Sequence, residues 1–353
     1  MTFQPDYANL VLAARNIEAP RLPLYDHQIN VDFMEAVLGR AFAPLGRGGA
    51  SDLREFFRLY CGFFRDHGYD TVSFECCLGG LMPNSGRLGG HGLPPGIRDR
   101  ADLDRYPWGE IEDLYFRRNG PRFRALRQAM PPGMKAVGGV GNGVFELAQD
   151  LVGFEELCYM LADDETLFRD LTGNIGAVML AIWKRLLREY GDIFCVCRFG
   201  DDLGYKSATM FSHDTLRRHV FPHYKRVIDE VHAHGKPFLL HSCGNLLGVM
   251  EGILATGIDA KHSNEDAILP FPAWVERYGA RMGNFGGIDT DHLCRMDEPQ
   301  LREEIHGILR QCEGRGGIAF GTGNSVPSYT PPENYLAMNR IAREWREKPL
   351  APS

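Results

Sequence analysis

The sequence contains no long run of uncharged apolar residues. A membrane-spanning helix needs about 18 to 20 of them, and the most apolar stretch, from Leu167 to Leu187, is interrupted by four charged side chains. The amino-terminal residues also lack the basic flank, apolar stretch and small-residue cleavage site of a secretory signal. We therefore expect a cytosolic protein with no membrane partner.

Basic clusters and nucleotide-binding motifs are also absent. Asp and Glu (46) outnumber Lys and Arg (39), and the net charge is −7, whereas proteins that bind nucleic acid present a basic face. There is no Walker A segment, and the glycine-rich residues 138–143 are not a dinucleotide fingerprint because Val144 follows them. Nine cysteines are an odd number and make a poor disulfide framework. We expect no nucleic acid partner.

Short apolar runs alternate with longer helical patterns along the whole chain. Helical periodicity is clearest over about 166–189, over about 214–234 and after Pro331. Eight runs have the β-branched, aromatic and Cys content of buried parallel strands: Leu22–Tyr25, Thr71–Glu75, Lys135–Val140, Ile193–Phe199, Pro237–His241, Ile258–His262, Arg281–Phe285 and Gly317–Gly321. Eight strands with helical crossovers predict an α/β protein with the (β/α)₈ (TIM) barrel fold, in one domain over residues 1–353.

A long insertion, at about 76–134, separates the second and third predicted strands. Its Gly- and Pro-rich part, Gly79 to Pro95, predicts a loop over one end of the barrel. Long loops inside compact domains tend to be functional lids. We expect this segment to close over a substrate or to meet a partner protein.

The segment Pro237–Asn245 brings polar residues to the end of an apolar strand. In barrels of this kind the catalytic groups lie at the carboxyl ends of the strands. His241 and Cys243 are two residues apart, so a continuing strand would put both on one face. An imidazole beside a thiolate is half a zinc site. The alternative interpretation is a structural histidine followed by an inert thiol.

Several motifs in the second half of the chain occur in a familiar order. They are Asp201-Asp202-Leu-Gly-Tyr205, Pro222, His241-Ser-Cys243-Gly-Asn245, Gly257-Ile-Asp259, Gly286-Gly287-Ile-Asp289, Gly321-Thr-Gly323-Asn324 and Thr330-Pro331-x-Glu333-Asn334. Because of these motifs, the chain resembles the uroporphyrinogen decarboxylase superfamily from about residue 195 to 345. The resemblance is looser before residue 195. The resemblance implies a (β/α)₈ barrel, as the strand count also does.

This superfamily contains true decarboxylases, which need no metal as the resemblance implies. They carry an Arg-Gln-Ala-Gly-Arg segment at the end of the first strand, which holds the carboxylates of the substrate. The corresponding place here reads Tyr25-Asp26-His27-Gln28-Ile29-Asn30. Because both arginines are missing and an acid is present, a substrate with many carboxylates would find poor charge complementarity. We do not expect the activity for which the family is named.

The superfamily also contains methyltransferases that exchange a methyl group with a corrinoid protein. The resemblance implies zinc held by a His-x-Cys pair and a later Cys, and His241 and Cys243 match the pair. Asn324 stands close to where the later Cys is expected. A third ligand would then come from elsewhere, and we name Glu75, Cys76 and Cys77, at the end of the second strand, as the candidates.

Further residues at strand ends are candidates for the site. Asp201, Asp202 and Glu75 could transfer a proton or complete the metal coordination, although a loop acid can also cap the following helix. His262 could equally be a hydrogen-bonded core histidine. Five residues are assigned to substrate binding: Asp26, His27, Tyr205, His262 and Asn324.

The sequence favours a methyltransferase acting between a small-molecule substrate and a separate corrinoid protein, with zinc at the barrel mouth. The chain lacks the Asp-x-His-x-x-Gly pattern that ligates cobalt, so a partner would carry the corrinoid. Two alternatives stay open, namely a metal-free decarboxylase or lyase with Asp26 or Glu75 as its acid, and a non-enzymatic barrel that binds a tetrapyrrole or a metal. A homodimer also stays open, because barrels of this superfamily often pair.

Overall fold

A computed structural model describes residues 3–88 and 92–346 of the chain. Within those residues, seven parallel strands form a single sheet in chain order. Their bounds are β1 Thr71–Cys76, β2 Lys135–Val140, β3 Phe194–Gly200, β4 Phe238–His241, β5 Ala260–His262, β6 Gly283–Ile288 and β7 Ile318–Thr322. Each strand pairs with the next one along the chain, as in a (β/α)₈ barrel.

Helices connect the strands and cover the outside of the sheet. They are α1 Ala8–Ala14, α2 Val31–Leu38, α3 Ala50–Asp66, α4 Arg100–Arg105, α5 Ile111–Ala129, α6 Val144–Val152, α7 Phe154–Asp163, α8 Glu165–Tyr190, α9 His213–His219, α10 Phe221–Ala233, α11 Met250–Ala255, α12 Phe271–Tyr278, α13 Thr290–Arg295, α14 Glu298–Cys312 and α15 Pro332–Arg346. Short 3₁₀ helices occur at Ala43–Arg47 and Trp108–Glu110.

The first predicted strand, Leu22–Tyr25, is not a regular strand. Leu24 forms a single parallel bridge with Phe320, and the Tyr25 N–H donates to the Phe320 carbonyl over 2.9 Å. Pro23 has no N–H to donate, which limits how far such a ladder can extend. The prediction of a strand at this place was therefore wrong in its length, although the segment lies beside β7 where a first barrel strand belongs.

The interior of the barrel is filled by a small apolar cluster. It takes side chains from α1, from the first segment and from β2 to β7: Leu10, Ala13, Ala14, Tyr25, Val137, Cys195, Val196, Leu239, Ala260, Phe285 and Ala319. Helix α1 closes the amino-terminal end of the barrel. Its Ala13 carbonyl oxygen comes so close to two strand glycines that a Cβ at Gly283 or Gly317 would lie only 2.3 or 2.1 Å from it. The site is therefore sought at the opposite end, where barrels of this kind carry their catalytic groups.

Two predicted elements differ in detail from the structure. The helix predicted over about 214–234 is two helices, α9 and α10, because Pro222 lies in the first turn of α10 and cannot continue the hydrogen bonding of α9. The predicted insertion at 76–134 contains α4 and α5, and α5 packs against α3 and α8. Helix α5 is therefore the crossover from β1 to β2, and the irregular part of the segment precedes it.

The glycine-rich loop is anchored by one buried carboxylate on α6. Asp150 accepts hydrogen bonds from the backbone N–H groups of Gly80 (2.7 Å), Gly86 (2.9 Å) and Leu88 (3.2 Å). Residues 89–91 of the predicted lid lie outside the described residues. The described part of the loop is thus fixed at three points rather than free to move as a whole.

Replacing Asp150 with alanine is expected to release this loop. Three hydrogen bonds to a charged acceptor are lost, each worth about 1.5 to 3 kcal/mol. We expect amide hydrogen exchange at Gly80, Gly86 and Leu88 to accelerate by roughly 10- to 100-fold. Exposed Asp163 provides the control, since its replacement by alanine should leave those three rates unchanged. Unchanged rates in the Asp150 variant would contradict the anchoring role.

Within residues 3–88 and 92–346, no helix combines the length and apolar character needed to cross a membrane.

Candidate active site at the carboxyl ends of the strands

Two histidines lie side by side at the carboxyl ends of β4 and β5. The strand register pairs His241 with His262, and their Nδ1 atoms are 2.8 Å apart. The Nε2 atom of His262 lies 3.0 Å from the Thr322 carbonyl oxygen at the end of β7. Both imidazoles are buried, and burial lowers the pKa of His262 to about 3 and the pKa of His241 well below its usual value. Both rings are neutral at physiological pH.

Cys243 and Asp202 complete a compact group around the other nitrogen of His241. The Cys243 Sγ atom is 3.4 Å from His241 Nε2, and the nearer Asp202 carboxylate oxygen is 3.8 Å from the same nitrogen. Asp202 also accepts a hydrogen bond from the Cys243 backbone N–H over 2.8 Å. One ligand atom from each of the three residues lies within 4.8 Å of the others. This His–Cys–Asp group is a candidate metal centre.

Two glycines allow the loops carrying Asp202 and Cys243 to approach each other. Gly244 has φ +84°, and a Cβ built there would lie 2.3 Å from the backbone carbon of Gly204. Behind this contact, the Asn245 N–H donates to the Tyr205 carbonyl over 2.8 Å. A larger residue at position 244 would push the two loops apart, and with them the two side chains of the group.

A second grouping, of His27, His241 and His262, is less suited to a metal. Their potential ligand atoms also lie within 4.8 Å of one another. However, the rings of His27 and His241 are stacked, with centroids 3.6 Å apart and planes 9° apart. The lone pairs of an imidazole lie in the ring plane, so stacked rings direct them along parallel lines rather than at one point. The stack instead makes His27 a wall of the mouth.

Asn324, which occupies the place of the expected later Cys, contacts the Cys243 sulfur. Its side-chain N–H donates to Sγ over 3.3 Å, and the Ser263 hydroxyl donates to the same atom over 3.6 Å. Burial raises the pKa of the Cys243 thiol to about 12, and the Asp202 charge adds to the effect. Asn324 therefore supports the sulfur by hydrogen bonding from close to the position where the resemblance leads us to expect the third ligand, a second cysteine.

Glu75, on β1, lies in a buried ion pair with Arg198. Its Oε2 accepts from Arg198 Nη2 over 2.7 Å, and its Oε1 accepts from the Gln28 amide over 2.8 Å. Arg198 is completely buried, and its Nη1 also donates to the Tyr25 hydroxyl (2.7 Å) and the His27 carbonyl (2.9 Å). Glu75 thus has a fixed cationic partner and is not grouped with His241 and Cys243.

Cys76 and Cys77, the other candidates for a third ligand, are not grouped with the His–Cys pair either. Cys76 is buried, with its side chain near Arg122. The Cys77 sulfur lies 4.0 Å from a Glu75 carboxylate oxygen. Among the described residues, Asp202 is the carboxylate that accompanies the pair.

Two predicted site residues, Asp201 and Asp26, have their side chains elsewhere. Asp201 accepts the backbone N–H groups of Phe145 (3.0 Å) and Glu146 (2.7 Å) at the start of α6, and the Tyr224 hydroxyl. It is fully buried, and burial raises its pKa to about 7. The structure places Asp201 as a cap for α6 rather than beside the histidines.

Asp26 is directed away from the histidines, and Tyr205 is exposed to solvent. The Asp26 carboxylate accepts from the backbone N–H of Thr322 (2.9 Å), from its hydroxyl (2.6 Å) and from the Tyr69 hydroxyl. It thereby joins the first segment to β7, behind the strands. The Tyr205 side chain is 67% exposed on the loop after β3.

Arg198 and Lys261 are buried near the site and were missed by the sequence analysis. The available signal was a charged residue inside an apolar strand, between Cys197 and Phe199 in one case and between Ala260 and His262 in the other. Lys261 donates to the Ser263 carbonyl over 2.7 Å and lies 4.7 Å from the Trp274 ring centre. Burial lowers its pKa to about 8.

Glu146 is a further buried acid beside the site that the sequence analysis did not single out. It accepts from the Asn142 amide over 2.8 Å and from the Asp202 backbone N–H over 3.3 Å. Burial and the nearby charges of Asp201 and Asp202 raise its pKa well above the usual value. A buried carboxyl group with a raised pKa therefore lies next to Asp202.

The His–Cys–Asp group fits zinc, the metal that the resemblance implies. Zinc prefers nitrogen and sulfur ligands and accepts a carboxylate, commonly with three protein ligands and one open position in catalytic sites. A neutral imidazole offers its lone pair without first losing a proton. Exposed carboxylates alone would offer only oxygen ligands, and the stacked histidines would offer only nitrogen ligands, so neither provides such a mixed set.

The fold and this group together define an α/β barrel with a candidate metal centre at the carboxyl ends of its strands. The chain belongs to the uroporphyrinogen decarboxylase family, whose model, described as Uroporphyrinogen decarboxylase (URO-D), matches residues 93–345. This is more than two thirds of the chain, and it confirms the family expected from the motifs.

Two curated relatives represent both chemistries of the superfamily. A methylated-thiol–coenzyme M methyltransferase of Methanosarcina mazei is 29% identical over 39% of this chain and 35% of its own length. A uroporphyrinogen decarboxylase of Thermus thermophilus is 23% identical over 46% of this chain and 49% of its own length. The matches therefore span half or less of these relatives, and the chain is related to methyltransferases and to decarboxylases alike.

A solved structure supports the fold over nearly the whole chain. A methyltransferase from Methanosarcina mazei superposes with a TM-score of 0.72 and 17% identity, covering 96% of this chain and 98% of that one. The likeness confirms the α/β barrel architecture of this family.

Proposed function

We propose that this protein is a methyltransferase that moves a methyl group between a small substrate and a separate corrinoid protein, with zinc in the His–Cys–Asp group. The observation that carries the proposal is the convergence of His241 Nε2, Cys243 Sγ and an Asp202 oxygen at the open end of the barrel. The relationship to a methylated-thiol methyltransferase supports the same chemistry.

When bound, the metal would supply Lewis acidity that polarises a thiol or oxygen of the substrate. His241, Cys243 and Asp202 would hold it. The stacked ring of His27 and the Gln28–Glu75–Arg198 group would form the remaining walls and orient a small substrate. The chain carries no cobalt-binding motif of its own, so the corrinoid would come from a partner.

A metal-free decarboxylase is the second candidate, and the contacts favour it less. Its acid would have to be Asp26 or Glu75. The Asp26 carboxylate is enclosed by Thr322 and Tyr69, and the Glu75 carboxylate is neutralised by Arg198. Glu75 can line the mouth through its ion pair, but neither carboxylate is left unengaged to serve as the acid.

The test is zinc analysis of the purified protein followed by a methyl-transfer assay. Free cob(I)alamin would stand in for the corrinoid partner, and a panel of methylated thiols and methyl ethers would serve as donors. We expect about one zinc per chain and formation of methylcobalamin with at least one donor class. Zinc without methyl transfer from any donor would favour a metal-binding barrel, and carbon dioxide release by a zinc-free protein would favour the decarboxylase.

A further inference from the structure

A chain of three hydrogen-bonding groups runs from the end of β7 to the candidate metal centre. The Thr322 carbonyl oxygen lies 3.0 Å from His262 Nε2, and His262 Nδ1 lies 2.8 Å from His241 Nδ1. The other nitrogen of His241 is the one that lies 3.4 Å from the Cys243 sulfur. The strand register fixes this order, because His241 and His262 are opposite each other on β4 and β5.

The carbonyl at one end of the chain determines where the protons lie. A carbonyl oxygen can only accept, so His262 Nε2 must carry a hydrogen. His262 is fully buried, and its two ring nitrogens are occupied by a carbonyl oxygen and by another imidazole. Without a carboxylate at either nitrogen, a second proton on this ring would be a buried, uncompensated charge. His262 Nδ1 is therefore an acceptor.

The same reasoning then fixes the tautomer of His241. Because His262 Nδ1 accepts, His241 Nδ1 must be the donor in the 2.8 Å contact. Its proton is on Nδ1, which leaves the lone pair on Nε2, towards Cys243 and Asp202. The reverse tautomer would present an N–H to the metal and leave two acceptors facing each other at the Nδ1 atoms.

We propose that His262 is a positioning residue that holds His241 in the tautomer whose Nε2 binds the metal. The role of the metal rests on the proposed function, whereas the tautomer itself is a property of the metal-free chain. A group that orients a metal-binding imidazole in this way typically changes metal affinity by about 10- to 100-fold when it is removed.

Two substitutions at position 262 separate hydrogen bonding from packing. His262→Leu fills similar space but offers no acceptor to His241 Nδ1. His262→Asn keeps a carbonyl oxygen close to the place of the original Nδ1 and should retain the acceptor. His27→Leu is the matched control, because His27 is also stacked on His241 yet makes no hydrogen bond to it.

Zinc affinity would be measured by competition with a chelator on folded protein, and the His241 tautomer by ¹⁵N nuclear magnetic resonance of the metal-free protein. We expect His262→Leu to weaken zinc binding by about 10- to 100-fold, with His262→Asn and His27→Leu within about threefold of wild type. The wild-type spectrum should show the His241 proton on Nδ1. Equal zinc affinity in the Leu and Asn variants would overturn the proposal.

The spectrum keeps the two proposals distinguishable. A wild-type protein that binds no zinc but has the His241 proton on Nδ1 would overturn the proposed function and leave the role of His262 intact. A proton on His241 Nε2 in the wild-type protein would overturn the role of His262 whatever the zinc content, and even if His262→Leu fails to fold.

Discussion

Replacing Cys243 with alanine is expected to abolish stoichiometric zinc binding and to slow methyl transfer by roughly 1,000-fold or more. Loss of the sulfur removes one of three ligand atoms that lie within 4.8 Å of one another. Lewis-acid stabilisation contributes several kcal/mol to such reactions, and each 1.36 kcal/mol is a factor of ten in rate. Elemental analysis and the cob(I)alamin assay would measure the two effects.

Cys77→Ala is the matched control for this prediction. Cys77 also lies at the mouth of the barrel, but its sulfur contacts Glu75 at 4.0 Å and is not grouped with His241. We expect this variant to retain its zinc. If Cys77→Ala lost zinc and Cys243→Ala kept it, the metal centre would lie on the β1 side of the mouth and the assignment of ligands would be wrong.

The folded chain should tolerate the loss of the Cys243 sulfur. The side chain is only partly buried and accepts two weak hydrogen bonds, from Asn324 and Ser263. We expect the thermal midpoint of the metal-free variant to lie close to that of the metal-free wild type. A reduced zinc content would then report on the ligand itself and not on unfolding.

The barrel could be predicted from the sequence because its periodic signals are strong. Seven of the eight predicted strands are present within a few residues of their predicted bounds. The exception, Leu22–Tyr25, contains Pro23, and one bridge to Phe320 takes the place of a ladder. Side-chain contacts take the place of this missing ladder, and the hydrophobic periodicity of the sequence does not predict such contacts.

The site was predicted less completely, because side chains alternate between the two faces of a strand. Adjacent residues on an extended chain face opposite sides, so of Asp26 and His27 only one could face the mouth. His27 does, and Asp26 lies behind the strands against Thr322. Asp201 and Asp202 divide in the same way between the cap of α6 and the Cys243 loop. Alternation could have separated the members of each pair, but it could not say which faced inwards.

The choice of third ligand could not be made from the sequence at all. Asp202 approaches Cys243 because the two loops touch at Gly204 and Gly244. Such a contact depends on how the ends of β3 and β4 are placed relative to each other. From the sequence Glu75 is an equally reasonable candidate, and its ion pair with Arg198 is what sets it apart.

Replacing Arg198 with methionine is expected to destabilise the protein by about 3 to 5 kcal/mol, the usual effect of removing one partner of a buried ion pair. Arg198 is fully buried, and Glu75 is 6% exposed. The substitution would leave the Glu75 carboxylate without its cation, and the His27 carbonyl without one of its donors. Urea unfolding of the variant and the wild type would measure the difference.

Two further variants distinguish a buried ion pair from general damage. The double variant Arg198→Met/Glu75→Gln removes both charges, and we expect it to be more stable than Arg198→Met alone. Arg281→Met breaks an exposed pair with Glu251, and should cost less than about 1 kcal/mol. Equal effects of Arg198→Met and Arg281→Met would contradict the role assigned to Arg198.

The size of this effect follows from where Arg198 acts in the barrel. On one side, the first segment has a backbone bridge to β7. On the other, it is connected to β1 by side chains. Arg198 Nη1 donates to the His27 carbonyl and to the Ser73 hydroxyl on β1, and the Ser73 hydroxyl donates to the same carbonyl. Arg198 therefore joins the first segment to β1 where a strand ladder would otherwise do so.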